Sequence, residues 1–304
     1  MRNIFIINPK AGRGLAPKLI EEINSMKNTH NIEIYTTKDV LDAKYYTEEV
    51  CRESTEKLRI YACGGDGTLN EVVNGAYGYY NVEIGCIPMG SGNDFIRNFG
   101  EADIFRDIKS QLDGESIDCD LIKYKSDRNN GYFVNMCNIG FDSNVVESTA
   151  YMKRIPFVHG SFAYMLGIIS TLIKKKGANL SIVTDRTNDI YEGKLLMATV
   201  ANGMYCGGGI KGVPRALVDD GLIDLSIIKT CSRMRFIKLF SSYKKGVHLE
   251  LDEAKDLIIY RKEKHISIKS EKGDLTVCFD GELEKIREIE FDIIKNAMKF
   301  IIPK

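Results

Sequence analysis

Apolar positions along this chain come in two textures. Up to residue 123, compact apolar runs at residues 4–7, 32–36, 58–62 and 83–87 alternate with stretches of helical spacing at 15–26, 42–53, 69–76 and 104–112. Uninterrupted apolar strands separated by helices predict a parallel sheet covered on both faces, that is, an α/β domain. A further strand is expected at 115–124, carrying Asp118 and Asp120 among apolar residues. Beyond Tyr124 the pattern changes. Asp127-Arg128-Asn129-Asn130-Gly131 is a hairpin signal, and short strands are predicted at 132–139, 178–184, 193–201, 222–228, 257–260, 266–270 and 275–279. Residues 124–287 therefore read as a second, all-β domain, with one largely apolar helix at 157–176 inside it. The chain closes with strand patterns at 288–293 and 298–302.

Three strands of the first domain run into glycine-bearing loops. The most informative is Gly64-Gly65-Asp66-Gly67-Thr68-Leu69-Asn70-Glu71, after the run at 58–62. Glycines let bare backbone approach an anion, and the N–H groups of the following helix start then point at it. An acid has no reason to stand beside phosphate unless a cation lies between them, so Asp66 implies Mg²⁺. The first strand ends in Asn8-Pro9-Lys10-Ala11-Gly12-Arg13-Gly14, where Lys10 and Arg13 can supply positive charge. The fourth ends in Pro88-Met89-Gly90-Ser91-Gly92-Asn93-Asp94-Phe95, where Ser91 can donate to a phosphate oxygen and Asn93 and Asp94 are placed to cap the next helix. Each loop alone is explained by an ordinary strand-to-helix turn. Together they fall at the carboxyl ends of parallel strands, where open α/β sheets bind ligands.

Two acidic turns stand in the second half, Asp219-Asp220-Gly221 and Asp280-Gly281-Glu282. The first can hold a hard cation through one carboxylate and neighbouring carbonyls. The second follows an apolar strand, where partial burial would raise a carboxyl group towards the pKa of a general base.

Composition sets the limits. With 304 residues, 44% of them hydrophobic, the chain is long enough for two cores, and 42 basic residues against 42 acidic ones exclude bulk electrostatic binding to nucleic acid. The longest mainly apolar segment, 162–173, falls short of the roughly twenty residues that span a bilayer, and no leader-like segment opens the chain, so a soluble cytoplasmic protein is expected. Eight cysteines without a CxxC pair read as buried, reduced thiols. Residues 233–243 form an amphipathic stretch with a modest basic face, which a solvated helix explains and which also suits anionic lipid.

The ordered set Asn8-Pro9-Lys10-Ala11-Gly12, Gly64 to Glu71, Pro88 to Phe95, Asp219-Asp220-Gly221-Leu222 and Asp280-Gly281-Glu282 resembles the lipid kinase family of soluble bacterial diacylglycerol kinases and eukaryotic diacylglycerol and sphingosine kinase catalytic domains. The resemblance covers nearly the whole chain. It implies a phosphofructokinase-like nucleotide-binding α/β domain (1–123) followed by a β-sandwich domain (124–287), with 288–304 returning to the first. It places ATP against Asn8, Pro9, Lys10, Ala11, Gly12, Thr37, Gly65, Asp66, Gly67, Thr68, Leu69, Asn70, Glu71 and Ser91. Asp66 would hold catalytic Mg²⁺ through water, with Asp94 and Asp120 completing an acidic network. The Leu217 and Leu222 carbonyls and the Asp220 side chain would form a separate structural Mg²⁺ site. Glu282 would be the base that takes the lipid hydroxyl proton and Asp280 its neighbour, the two roles not being separable at this point. The helix at 157–176 would either pack into the core or form one wall of a lipid cleft. The acceptor implied first is diacylglycerol, met at the membrane surface by peripheral contact. Dimers occur among similar proteins, and a homodimer belongs to the expectation without a stretch that specifies its interface. The alternatives are an NAD kinase, which shares the Gly-Gly-Asp-Gly-Thr loop, and a non-catalytic nucleotide or lipid sensor of the same fold.

Overall fold

The computed structural model describes residues 1–90, 92–140, 177–186, 189–280 and 282–304. The helix expected at 157–176, Ser91, Gly281 and the side chain of Arg13 lie outside the described residues. The chain divides into two units. One comprises Met1–Leu121, Val218–Asp220 and Ile294–Lys304; the other comprises Ile122–Leu217 and Gly221–Ile293.

The first unit alternates strand and helix: β1 (Arg2–Ile7), α1 (Ala16–Ser25), β2 (Ile32–Thr36), α2 (Asp42–Glu53), β3 (Leu58–Gly64), α3 (Asp66–Ala76), β4 (Val82–Pro88), α4 (Ile108–Leu112) and the first part of β5 (Glu115–Ser126). The strands pair in parallel in the order β2-β1-β3-β4. Strands β3 and β4 are buried along their whole length, as expected where helices cover both faces. Phe5, Ile7, Tyr61, Cys63 and Ile87 form the core with Leu19 and Ile23 of α1. Arg59 braces the sheet from inside: it meets the Glu83 carboxylate at 2.8 Å and donates to the carbonyls of Leu112 and Gly114 at 2.7 and 3.0 Å. The helix expected over 104–112 is in fact one 3₁₀ turn, Ile104–Arg106, and then the short α4. Asp107 separates them because its Oδ1 accepts from the Ser110 N–H at 2.7 Å and so starts a new helix.

The second unit is built of antiparallel strands: β6 (Asn130–Phe133), β7 (Met136–Gly140), β8 (Ala178–Thr184), β9 (Ile190–Ala201), β10 (Ile223–Lys229), β11 (Ile258–Glu263), β12 (His265–Ser270), β13 (Leu275–Phe279) and β14 (Glu282–Ile286), with one helix, α5 (Arg233–Lys245). The twelve-residue β9 pairs with β8 over its first half and with β7 and β10 over its second, which lets it serve two neighbours on one side. Inward residues such as Ile139, Val200, Leu225, Ile266, Val277 and Phe291 form one continuous core. The two C-terminal strands expected at 288–293 and 298–302 are a single strand, β15 (Glu288–Ile302). It pairs with β12 within the second unit and, from Lys299, in parallel with β4 within the first.

Among the described residues no helix is long and apolar enough to cross a membrane. Seven of the eight cysteines are buried, Cys231 is partly so, and all are free thiols. Burial pushes the Cys51 thiol up to about 12, so it stays protonated and inert.

Candidate active site

In the first unit the glycine loops are held against one another by specific contacts. The Asn8 Nδ2 donates to Thr68 Oγ1 at 3.2 Å, tying the loop after β1 to the start of α3. The N–H groups of Met89 and Gly90 both donate to the Gly64 carbonyl, at 2.8 and 3.1 Å, tying the loop after β4 to the same place. These approaches need bare backbone. A Cβ on Gly64 would lie 2.2 Å from Thr68 Oγ1, and one on Gly90 would lie 3.0 Å from the Gly65 Cα. At Gly12 the backbone adopts a left-handed φ of 70°, which fits glycine, and a Cβ there would meet the Met89 carbonyl at 3.0 Å.

Helix α3 begins at Asp66, with Gly65 in the cap position and no side chain capping its first N–H groups. An uncapped helix start reached by glycines is an anion site, because unpaired donors and the helix dipole point the same way. Asp66 stands in that opening. Its Oδ1 accepts from the Asp94 N–H at 2.8 Å, and a Cβ on Gly92 would fall 2.6 Å from its Oδ2. Although the residue as a whole keeps some exposed surface, its carboxyl group is deeply set. Burial pushes it up to about 6 and the Asp94 carboxylate pushes the same way, against the backbone N–H groups of residues 93–95. Two carboxylates side by side in a region of N–H donors, together with a buried Asn93 Oδ1 that has no partner among the described residues, make an all-oxygen set suited to a hard cation such as Mg²⁺.

Other expected residues take parts that their motifs did not suggest. Asn93 and Asp94 do not cap a helix. The Asn93 Nδ2 donates to the Gly90 carbonyl at 2.7 Å with the backbone at a φ of 51°, and Asp94 precedes a 3₁₀ turn without a side-chain cap. Asp94 instead faces Arg97 at 3.6 Å, while Arg97 Nη2 donates to the Gly92 carbonyl at 3.4 Å. Sequence reading passed over Arg97, though its position three residues after Asp94 was a usable signal. The Glu71 carboxylate accepts from the N–H groups of Leu41 and Ala43 at 3.0 and 3.2 Å and so caps α2. Leu69 is buried in the core, leaving its backbone as the part available to a nucleotide. Thr37 is buried at the end of β2, its N–H on the Ile7 carbonyl at 2.9 Å. Pro9 and Lys10 are exposed; Asn8, Ala11, Gly65, Gly67 and Asn70 are partly covered.

Asp120 is fully buried on β5. Its Oδ1 accepts from the Asn296 N–H at 2.8 Å, and its own N–H donates to the Val218 carbonyl at 2.6 Å. It is thus joined to the Asp219-Asp220-Gly221 turn, where Gly221 has a φ of 72°. Among the described residues no three His, Cys, Asp or Glu side chains converge as a metal cage, so a cation at either expected place would draw on one or two carboxylates with carbonyls or water. Leu217 is exposed, and Asp220 and Leu222 are partly covered.

In the second unit Asp280 and Glu282 are clearly different. Asp280 closes the β13–β14 hairpin at a φ of 44°, the conformation an Asp-Gly two-residue turn demands, with Phe279 and Glu282 paired across it. Its two carboxylate oxygens accept from the Met136 and Val134 N–H groups at 2.8 and 3.1 Å. That clamp breaks the strand expected over 132–139 into β6 and β7. Glu282 is exposed on β14, so the partial burial expected of both acids falls on Asp280 alone.

A glycine-looped parallel α/β unit followed by an antiparallel β-sandwich unit is the architecture of a lipid kinase, and two family models match it in that order. Residues 2–124 match the diacylglycerol kinase catalytic domain, and residues 135–302 match the YegS C-terminal NAD kinase beta sandwich-like domain. The diacylglycerol kinase of Staphylococcus aureus strain Newman is 31% identical over 91% of this chain and 85% of its own length. The diacylglycerol kinase of Staphylococcus epidermidis strain RP62A is 29% identical over 99% and 92%. A crystal structure of a diacylglycerol kinase from Bacillus anthracis superposes with a TM-score of 0.70 at 22% identity, covering 99% of this chain and 96% of that one, and so shares the fold. The chain belongs to the diacylglycerol kinase family of lipid kinases.

Proposed function

We propose that this chain transfers the γ-phosphate of ATP to the primary hydroxyl of diacylglycerol, giving phosphatidic acid and ADP. The observation that carries this is the position of Asp66: a carboxylate held by the Asp94 N–H in the uncapped, glycine-lined start of α3. A pure anion site has no use for an acid there, whereas a site for metal-bound polyphosphate does.

The loops after β1, β3 and β4 bind the nucleotide through backbone N–H groups, with Lys10 adding charge and Ser91 a hydroxyl. Asp66 and Asp94 would hold Mg²⁺, which would supply positive charge to offset that developing on the transferred phosphoryl group. The Leu217 and Leu222 carbonyls with Asp220 would hold a second, structural cation, and Asp120 fixes that turn through Val218. The exposed Glu282 takes the proton as the acceptor oxygen bonds to phosphorus and the bond to the ADP oxygen breaks. Asp280 positions the hairpin that carries Glu282. The lipid is met by peripheral, reversible contact with a membrane surface.

The test is transfer of labelled γ-phosphate to a panel of dispersed acceptors: diacylglycerol, sphingosine, ceramide, undecaprenol and phosphatidylglycerol, with NAD⁺ as the soluble control. Label on diacylglycerol supports the reading. Label on NAD⁺ alone, or ADP formation indifferent to every acceptor, overturns it.

A further inference from the structure

Helix α5 is poorly covered for a helix of its length. Of thirteen residues only Leu239 is buried, packed with Met197, Ile228 and Leu257. On the opposite side Met234 and Ile237 are 75% and 56% exposed. At 100° per residue these two and Ser241 lie on one stripe, with Arg233 and Lys244 along one edge and Lys238 and Lys245 along the other. The helix contains five cations and no acid. Arg235 and Lys238 meet Asp256 and Glu253 at its base, which fixes the helix to its own unit, while Lys244 and Lys245 are exposed at its end. Single exposed apolar residues such as Tyr80 need no explanation.

We propose that α5 is a membrane-docking helix that lays its Met234–Ile237 stripe on an anionic phospholipid surface. Two apolar side chains alone give little affinity, but a stripe framed by cations matches a bilayer interface: thioether and alkyl groups enter the acyl boundary, and lysine stems lie along it with their ammonium groups at the phosphates. Each basic residue near an anionic leaflet adds attraction that salt screens. The helix thus gives the peripheral contact of the lipid-acceptor reading a definite place, and docking can be measured without turnover.

The chain has no tryptophan, so Ile237→Trp introduces a single indole reporter. Its emission is followed with vesicles of phosphatidylcholine alone and of phosphatidylcholine with phosphatidylglycerol, in parallel with co-sedimentation of the unsubstituted protein. The expected result is a blue shift and co-sedimentation with the anionic vesicles only, both weakened in 0.5 M salt, where the Debye length falls to about 4 Å. Lys244→Glu with Lys245→Glu should weaken partitioning by about tenfold or more while leaving phosphorylation of a short-chain, monomeric acceptor unchanged. Sedimentation without an indole shift, partitioning unaffected by the two substitutions, or equal binding to neutral vesicles overturns the proposal. Vesicle docking with no phosphorylation of any acceptor would instead remove the kinase reading and leave the docking surface standing.

Discussion

The backbone N–H of Asp94 donates to the Asp66 carboxylate at 2.8 Å, joining the loop after β4 to the first residue of α3. The same pair sets two carboxylates beside each other in a partly dry site, and burial together with the Asp94 charge pushes Asp66 up to about 6. That arrangement costs stability, and it is the arrangement a bound cation would relieve.

A pH prediction follows from the direction of that shift. Below about pH 4 Asp66 is protonated in both folded and unfolded chains. Between pH 4 and 6 the folded state keeps a proton that the unfolded state has lost, so stability falls as pH rises through this window and stays lower above it. Without metal, Asp66→Asn should therefore be more stable than the parent at pH 8, by at most about 3 kcal/mol, with the gain gone near pH 4. Urea unfolding at the two pH values measures it. Added Mg²⁺ should close the gap at pH 8, whereas a variant equally or less stable at both values contradicts the raised carboxyl.

Gly92→Ala tests the cradle around that acid. A Cβ would stand 2.6 Å from Asp66 Oδ2, so the loop or the carboxylate must move. Turnover should fall by about a hundredfold, the scale of one displaced electrostatic group, with the fold retained by circular dichroism. Turnover within a few-fold of the parent would show that the loop gives way freely.

Asp280 and Glu282 should separate cleanly. Asp280→Ala leaves the Val134 and Met136 N–H groups without their acceptor and puts alanine at a φ of 44°, so it should lower stability by about 2–3 kcal/mol. Glu282→Gln changes an exposed residue and should leave thermal stability within about 0.5 kcal/mol while abolishing phosphorylation and sparing ATP binding. A stable, inactive Asp280→Ala beside an active Glu282→Gln would exchange the two roles.

Glu71→Ala removes the cap on the Leu41 and Ala43 N–H groups. A loss of about 1–2 kcal/mol in denaturant unfolding is expected, the usual cost of a lost helix cap. Weakened nucleotide binding at unchanged stability would return Glu71 to the nucleotide.

The parallel sheet was legible because β1, β3 and β4 are buried on both faces and leave no polar alternation. The loops were legible because glycine at Gly64, Gly90 and Gly12 answers a contact that any Cβ would violate. What stayed hidden depends on partners distant in the chain. The pattern over 132–139 reads as one strand until Asp280, about 145 residues on, claims two of its N–H groups. Glu71 carries the family motif, yet its partners lie thirty residues back on α2. Asn93 and Asp94 look like caps, a local inference; the contacts they make with Gly90 and Asp66 depend on how the β4 loop folds over α3. Burial likewise divided Asp280 from Glu282, a difference that two acids flanking one glycine do not announce.

The most direct test of the account is phosphoryl transfer from ATP to diacylglycerol in mixed micelles, with Mg²⁺ and with chelator, for the parent chain, Asp66→Ala and Glu282→Gln. Phosphatidic acid formed only with Mg²⁺, lowered by about a hundredfold or more in Asp66→Ala and lost in Glu282→Gln, is the predicted result. Phosphatidic acid formed equally well in chelator, or at parental rate by a folded Asp66→Ala protein, would contradict it.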